Sequence, residues 1–280
     1  MKFGNYECTS IGMGCFYIDG GAMFGIVPKM LWEKQTPADA KNRIQMNMRS
    51  LLIRGNGKTI LVDAGIGTKL TDKEKTIYGF EEEMGNMDAV LARQNLTPDD
   101  ITDVIITHLH FDHAGGATYI DNGELKPTFP NATYYIQKKQ WETAMNPHSR
   151  DKNSFPAINF KPLKEAGVLT LLDGPGELSD GIELLVTHGH TAAQQHPLIK
   201  GADKSLFYCA DLIPMAAHIP LSWIMAYDNL PMTIMEEKQA VLERAYKENW
   251  VLVFEHECGI TAATVQRGSK GIEIKKTIVL

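Results

Sequence analysis

Four short apolar stretches of this chain each run out into a side chain that binds cations, and this repetition constrains the fold more than any other feature. "DVIITH" ends on His108, "IELLVTH" on His188 with His190 just beyond, "SLFYCAD" on Asp211, and "WVLVFEH" on His256. Their β-branched and aromatic residues, bounded by turn formers, make each stretch a predicted strand. Layered folds build sites at strand ends, because the scaffold fixes the backbone there while the side chains stay free. Four polar strand ends are best read as sharing one site.

Further strand patterns occur in "RSLLIRG" and "KTILVDAG" (49–65), "ATYYIQ" (132–137) and "VLTLLD" (168–173), with "GNGKT" as a hairpin turn between the first two. Helical patterns fall around 86–95, around 137–146 and over 234–248. The last has Thr233 and Glu236 three apart, the spacing of a capping box. Many strands with a few helices between them indicate a layered α/β fold with mixed sheets. With 280 residues, 44% of them hydrophobic, and neither a linker nor a repeat, residues 1–280 read as one domain.

Composition removes several classes of function. The formal net charge is −6 and no lysine/arginine block is present, so nucleic acid is not an expected partner. No apolar run reaches membrane-spanning length, and the N-terminal "MKFGNYECTSIGMGCF" does not read as a signal peptide. Cys8, Cys15, Cys209 and Cys258 are scattered without a C-x-x-C pair, which reads as free thiols and a cytoplasmic protein.

The richest segment is "THLHFDHAGG" (107–116). In an extended segment alternate residues face one way, so His108 and His110 can bind one cation. Asp112 and His113 follow where the chain turns, with Gly115 and Gly116 permitting close backbone approach, and can aim at a second position. Imidazole nitrogen and carboxylate oxygen together suit zinc, with iron, manganese, cobalt and nickel as competitors. A solvated histidine-rich turn would explain this segment alone. It would not explain "THGHT" (187–191), or Asp211 and His256 closing apolar strands, where a charge is costly to bury unpaired.

In chain order and spacing, "HLHFDH", "THGHT", "CAD" and "FEH" resemble the metallo-β-lactamase-fold hydrolases over nearly the whole chain. The resemblance implies a four-layered αβ/βα sandwich with two mixed β-sheets and a metal cleft at one end. It implies two divalent ions: His108, His110 and His190 on the first, Asp112, His113 and His256 on the second, and Asp211 bridging. His188 is then a loop histidine. Asp63 matches a position that supports a ligand histidine, its plain alternative being a turn residue at a strand end. His148 and His196 read as solvated loop residues, and Cys209 as a small core residue.

The chain looks most like the N-acyl homoserine lactonase branch, through "DGGAMFGIVPKMLW" (19–32) and "HIPLSWIMAYDNLP" (218–231). That branch implies lactone opening by a metal-bridging hydroxide, a small-molecule lactone or ester as substrate, and a homodimer. Met23, Phe24, Trp32, Trp223 and Tyr227 are candidates for the acyl-chain wall, with core packing as the alternative for each. One departure stands out: such lactonases carry a tyrosine three residues after the bridging aspartate, where this chain has Pro214. His218 or Tyr227 is expected to take over that role beside Asp112 and Asp211. The competing reading on the same site is an aryl ester or organophosphate triester hydrolase.

Overall fold

The hairpin at "GNGKT" shows how closely local chemistry sets the frame. In the computed structural model, which describes residues 1–80 and 85–280, Gly55 pairs with Lys58 across a two-residue turn. Asn56 (φ 50°) and Gly57 (φ 75°) are both left-handed there, the conformation that matches the twist of the flanking strands.

That hairpin joins β3 to β4 in a seven-stranded sheet. The sheet begins with β1 (Lys2–Phe3), β2 (Tyr6–Asp19), β3 (Arg43–Gly55), β4 (Lys58–Val62) and β5 (Asp103–Ile105). A separate two-stranded unit, β6 (Thr118–Asp121) and β7 (Glu124–Pro127), precedes the last two strands, β8 (Thr133–Gln137) and β9 (Leu169–Leu172). Pairing is antiparallel from β1 to β4 and parallel from β4 through β5 and β8 to β9. The second seven-stranded sheet takes its strands in sequence order: β10 (Gly176–Ser179), β11 (Ile182–Thr187), β12 (Gln194–Ile199), β13 (Leu206–Tyr208), β14 (Val251–Val253), β15 (Ala262–Gly268) and β16 (Gly271–Ile278). Only β13 and β14 are parallel in it.

Alternation along the strands separates three cores. Ile60 and Val62 of β4 face Leu206 and Tyr208 of β13 and Val251 and Val253 of β14 in an apolar layer between the sheets. Leu61 and Val104 point outward, into the layer formed by α1 (Gly20–Phe24), α2 (Lys29–Trp32), α3 (Asp72–Tyr78), α4 (Met87–Ala92), α5 (Phe111–Ala114), α6 (Lys138–Met145) and α7 (Lys161–Glu165). Phe207 and Leu252 point outward on the other side, beneath α8 (Pro231–Lys247). Helices, sheet, sheet and helix form the expected four layers.

Two expectations are corrected here. Helix α8 starts at Pro231, so Thr233 lies inside it and caps nothing; proline needs no partner for a missing N–H in the first turn. His196 is not a solvated loop residue but lies fully buried in β12, its Nε2 2.8 Å from Thr187 Oγ1. "QQHPLI" hides this strand because of its polar residues and its proline. The β13 ladder begins only at Leu198, so Pro197 is not required to donate to it.

Glycine matters most where the histidine-rich segment meets the loop after β4. A Cβ on Gly115 would fall 2.0 Å from the Ile66 carbonyl oxygen, and one on Gly116 2.1 Å from that of Ala64. Gly115→Ala is therefore expected to destabilise the protein by about 1–3 kcal/mol through overpacking against rigid backbone. Urea unfolding measures this; an unchanged midpoint would show that the two loops separate freely.

Candidate metal centre

The chain leaves β5 at Ile105, bends at Thr107 and reaches His110, which caps α5. His113 N and Ala114 N donate to His110 O at 3.1 and 2.9 Å. This short helix turns Asp112 and His113 back toward the histidine pair. The loop after β11 brings His190, held from behind by α8. Glu237 of that helix accepts from His188 N (2.7 Å) and Gly189 N (2.9 Å). Asp211 sits in a single tight turn after β13, following Ala210 at φ 42°. His256 follows β14 and is tied to β3, with Asn47 N donating to His256 O at 3.1 Å.

These seven side chains meet. The donor atoms of His108, His110, His190 and Asp211 lie within 4.8 Å of one another, as do those of Asp112, His113 and His256. Asp211 stands between the groups: its Oδ2 is 3.1 Å from His190 Nε2, and its Oδ1 is 3.1 Å from His256 Nε2. All seven residues are buried.

The outer nitrogens of four rings are fixed by acceptors. His108 Nδ1 lies 3.1 Å from Thr107 Oγ1, a hydroxyl that itself donates to Asp63. His113 Nδ1 lies 3.1 Å from both Asp63 Oδ2 and Glu255 Oε2. His190 Nδ1 is 2.9 Å from Asp228 Oδ1, and His256 Nδ1 is 2.9 Å from Asn47 O. Each contact places the ring proton outside and leaves a lone pair facing inward. Inside, His110 Nδ1 stands 3.0 Å from His108 Nε2 and 3.1 Å from His190 Nε2. Lone pairs at that separation repel unless a cation or a proton lies among them, so the donor set fits a bound metal.

Asp63 occupies the supporting position expected of it, in a left-handed conformation (φ 59°), and accepts from Thr107 N at 2.7 Å. Asp228 and Glu255 were missed. Asp228 lies in the stretch read as substrate wall and Glu255 beside His256; each is buried against a histidine of the cluster, His190 and His113 respectively.

Electrostatics follow from the geometry. Burial opposes charge on His190 and His256, but the carboxylate of Asp211, with Asp228 for His190 and Glu255 for His256, overcomes it and lifts both to about 9. His113 is raised likewise against burial, chiefly by Glu255, Asp112 and Asp211. Burial and the neighbouring imidazoles press His108 and His110 down. Asp211 is held well below its usual range, against burial, by His113, His190 and His256.

A cavity of about 560 Å³ opens onto the cluster. Its inner end shows His110, Asp112, His190, Asp211 and His256, and its walls include Ile18, Met23, Met46, Ile77, Phe111 and Met225. Tyr17, Tyr78 and Tyr227 also line it. The phenol of Tyr227 is pushed up, first by burial and then by Asp19, Tyr78 and Asp112.

His218 is not among the lining residues and is corrected to a packing role. It is buried, its Nε2 donates to Met23 O at 2.8 Å, and burial lowers its pKa to about 4. Phe24 stacks between His218 (4.9 Å) and Trp32 (5.2 Å), with Trp223 edge-on at 5.8 Å. Of the five residues expected to form the acyl wall, Met23 and Tyr227 reach the cavity, while Phe24, Trp32 and Trp223 back it. His188 and His148 are loop residues, and Cys209 is buried core, as expected.

The family model for the metallo-beta-lactamase superfamily matches residues 49–256, a span from β3 to the last of these histidines. The chain belongs to the metallo-beta-lactamase superfamily. Among superfamily structures it is similar to a probable metal-dependent hydrolase from Staphylococcus aureus, at 30% identity and TM-score 0.87 over the whole of both chains. AidC, a dizinc quorum-quenching lactonase, shares the fold at TM-score 0.81 and 20% identity, over 100% of this chain and 97% of its own. An N-acyl homoserine lactonase of Bacillus thuringiensis is 30% identical over 151 residues, 50% of this chain and 53% of the relative. The chain thus spans about half the length of the curated relatives it matches first.

In this superfamily member the raised histidines link stability to pH when no metal is bound. A histidine lifted from 6.5 to about 9 stabilises the fold fully below pH 6.5, and that contribution is lost as pH rises through 9. Chelator-treated protein should therefore melt at lower temperature at pH 9.5 than at pH 7, and metal uptake should release protons. Calorimetry at the two pH values checks this; equal melting temperatures would contradict it.

Proposed function

We propose that the protein is a metal-dependent hydrolase that opens lactone rings, N-acyl homoserine lactones foremost. One observation carries the reading: a buried histidine–aspartate cluster opens onto a cavity of about 560 Å³ whose lining combines apolar side chains such as Ile18, Met23, Met46 and Met225 with polar ones such as Arg43, Arg150 and Asn229. His108, His110 and His190 would hold one divalent ion and Asp112, His113 and His256 a second, with Asp211 shared; zinc suits this donor set. Two such ions would supply Lewis acidity and water acidified to near neutral pH.

The chain's own groups complete the chemistry. Asp112 faces the cavity while its Oδ2 lies 3.7 Å from both His113 and His256 Nε2, so its carboxylate is placed to carry a proton to the departing ring oxygen. Tyr227 offers a phenol to the substrate carbonyl or the leaving oxygen. Its raised pKa keeps it a donor throughout the neutral range. The wall from Ile18 to Met225 takes the acyl chain and keeps water from the reacting end. Similarity to lactonases named for this substrate supports the choice over aryl esters and phosphotriesters.

The test compares kcat/KM on an N-acyl homoserine lactone, an aryl ester and an aryl phosphotriester. The lactone should lead by at least about tenfold, or 1.4 kcal/mol of transition-state stabilisation. A phosphotriester leading instead would replace the reading with its rival. Tyr227→Phe should lower kcat roughly 10- to 100-fold with little change in metal content, as loss of one donor to a developing oxyanion does. Full retention of kcat would remove Tyr227 from the mechanism.

A further inference from the structure

Lys238 lies in the middle of α8 and is 1% exposed, with no carboxylate in salt-bridge contact among the described residues. Its ammonium instead donates to three backbone carbonyls of one loop: His218 O at 3.0 Å, Pro220 O at 3.1 Å and Trp223 O at 2.8 Å. A lysine has three protons to give, and all three are used. Burying an ammonium is costly, so a chain that could place methionine or leucine here keeps the charge at a cost in stability.

That loop leads directly into the site. Two residues after Trp223, Met225 N donates to Asp228 Oδ2 at 2.8 Å, and Asp228 Oδ1 holds His190 Nδ1 at 2.9 Å. Asn229 N then donates to His190 O at 3.1 Å. Met225, Ala226 and Tyr227, between the clamp and the histidine, form one side of the cavity. The buried ammonium also lies within electrostatic range of the buried Asp228 carboxylate.

We propose that Lys238 is a positioning residue: it fixes the 218–223 loop by its three carbonyls, and so sets Asp228 against His190 and the Met225–Tyr227 wall against the substrate. The inference rests on the reading of His190 as a metal ligand, not on the choice of substrate. Lys238 acts at a distance, through Asp228, and touches neither the ligand nor the reacting atoms.

The experiment compares metal-loaded wild type, Lys238→Met and Leu242→Ala, the last a truncation in the apolar cluster beneath α8, one turn along the same helix, that removes no hydrogen bond to the loop. Metal release to a chromogenic chelator, melting temperature, kcat and KM are read for each. Lys238→Met should release metal at least about tenfold faster than wild type, as loss of a partner behind a ligand histidine does. KM should rise more than kcat falls. Leu242→Ala should melt lower yet release metal at the wild-type rate. In an Asp228→Asn background Lys238→Met should add little further release, because the pathway is already broken. Should Lys238→Met fail to fold, Lys238→Arg carries the test: it keeps the charge, but its planar fork cannot serve three converging carbonyls, so metal release should still quicken. Release rates that match wild type, that match Leu242→Ala, or that add fully to Asp228→Asn would overturn the proposal. A wild type inactive on lactones would overturn the substrate reading and leave this result standing.

Discussion

Inward-facing imidazole lone pairs are the constraint on which the rest of this structure depends. Five histidines and two aspartates come together, buried, at one end of two apolar sheets. Around them Asp63, Asp112, Asp211, Asp228 and Glu255 are buried, while Arg49 and Lys238 are the buried cations nearby. The carboxylates outnumber the cations: the imidazoles of His113, His190 and His256 are pushed upward, and burial lifts Glu255 itself to about 7. Protons can fill the role of a cation here, but only by being taken up at a pH where histidine is normally neutral. On the proposed reading a pair of divalent ions would fill it at any ordinary pH.

The strands that deliver these groups are short, three residues in β5, β13 and β14, and their brevity is functional. Each is apolar while it lies between the layers and turns polar as it emerges, so the hydrophobic effect determines where burial stops and the site begins. The loops beyond are then fixed by backbone contacts: Ala64 N to His113 O, Asn47 N to His256 O, and His256 N to Pro214 O. Two lysines reinforce this from inside. Lys69 donates to the carbonyls of Gly115 and Thr118, just after the histidine-rich segment, as Lys238 does on the opposite side. Burial lowers both, each to about 8.

Much of this was legible in the sequence because it rests on local pattern. Apolar, β-branched runs bounded by turn residues marked β4, β5 and β14, and the i, i+2 spacing of His108 and His110 suggested a shared cation; the two side chains do meet, His108 Nε2 lying 3.0 Å from His110 Nδ1. What stayed hidden rests on tertiary neighbours. β12 reads as a loop until β11 and β13 are seen to satisfy it from either side. The proximity of His218 to Asp211 in sequence suggested a substrate contact, yet its loop turns the ring onto Phe24 and away from the cavity. Asp228 lies 38 residues from His190, and Glu255, though next to His256 in sequence, meets the ring of the distant His113. A carboxylate that orients a ligand needs only one contact, and one contact leaves no periodicity to read.

Pro214 raises the sharpest question about chemistry, and the cavity suggests how it is answered. Its carbonyl accepts from His256 N at 3.0 Å, so the backbone three residues after Asp211 helps hold the last histidine in place. A phenol there is absent, but what a developing negative charge requires is a donor at a point in space, whichever segment supplies it. Tyr227 comes to the same cavity from the loop before α8, and its pKa is raised in part by Asp112, which places the two side chains in electrostatic reach. On the proposed reading the donor has moved from the segment that bridges the metals to the segment that supports His190. Substrate positioning and metal retention would then be coupled through one short stretch, Met225 to Asn229, whose backbone is anchored at Ala22, at Gly189 and His190, and ultimately at Lys238. A change in that stretch should therefore move substrate affinity and metal affinity together, whereas a change at Ile18 or Met46, on the opposite wall, should move the first alone.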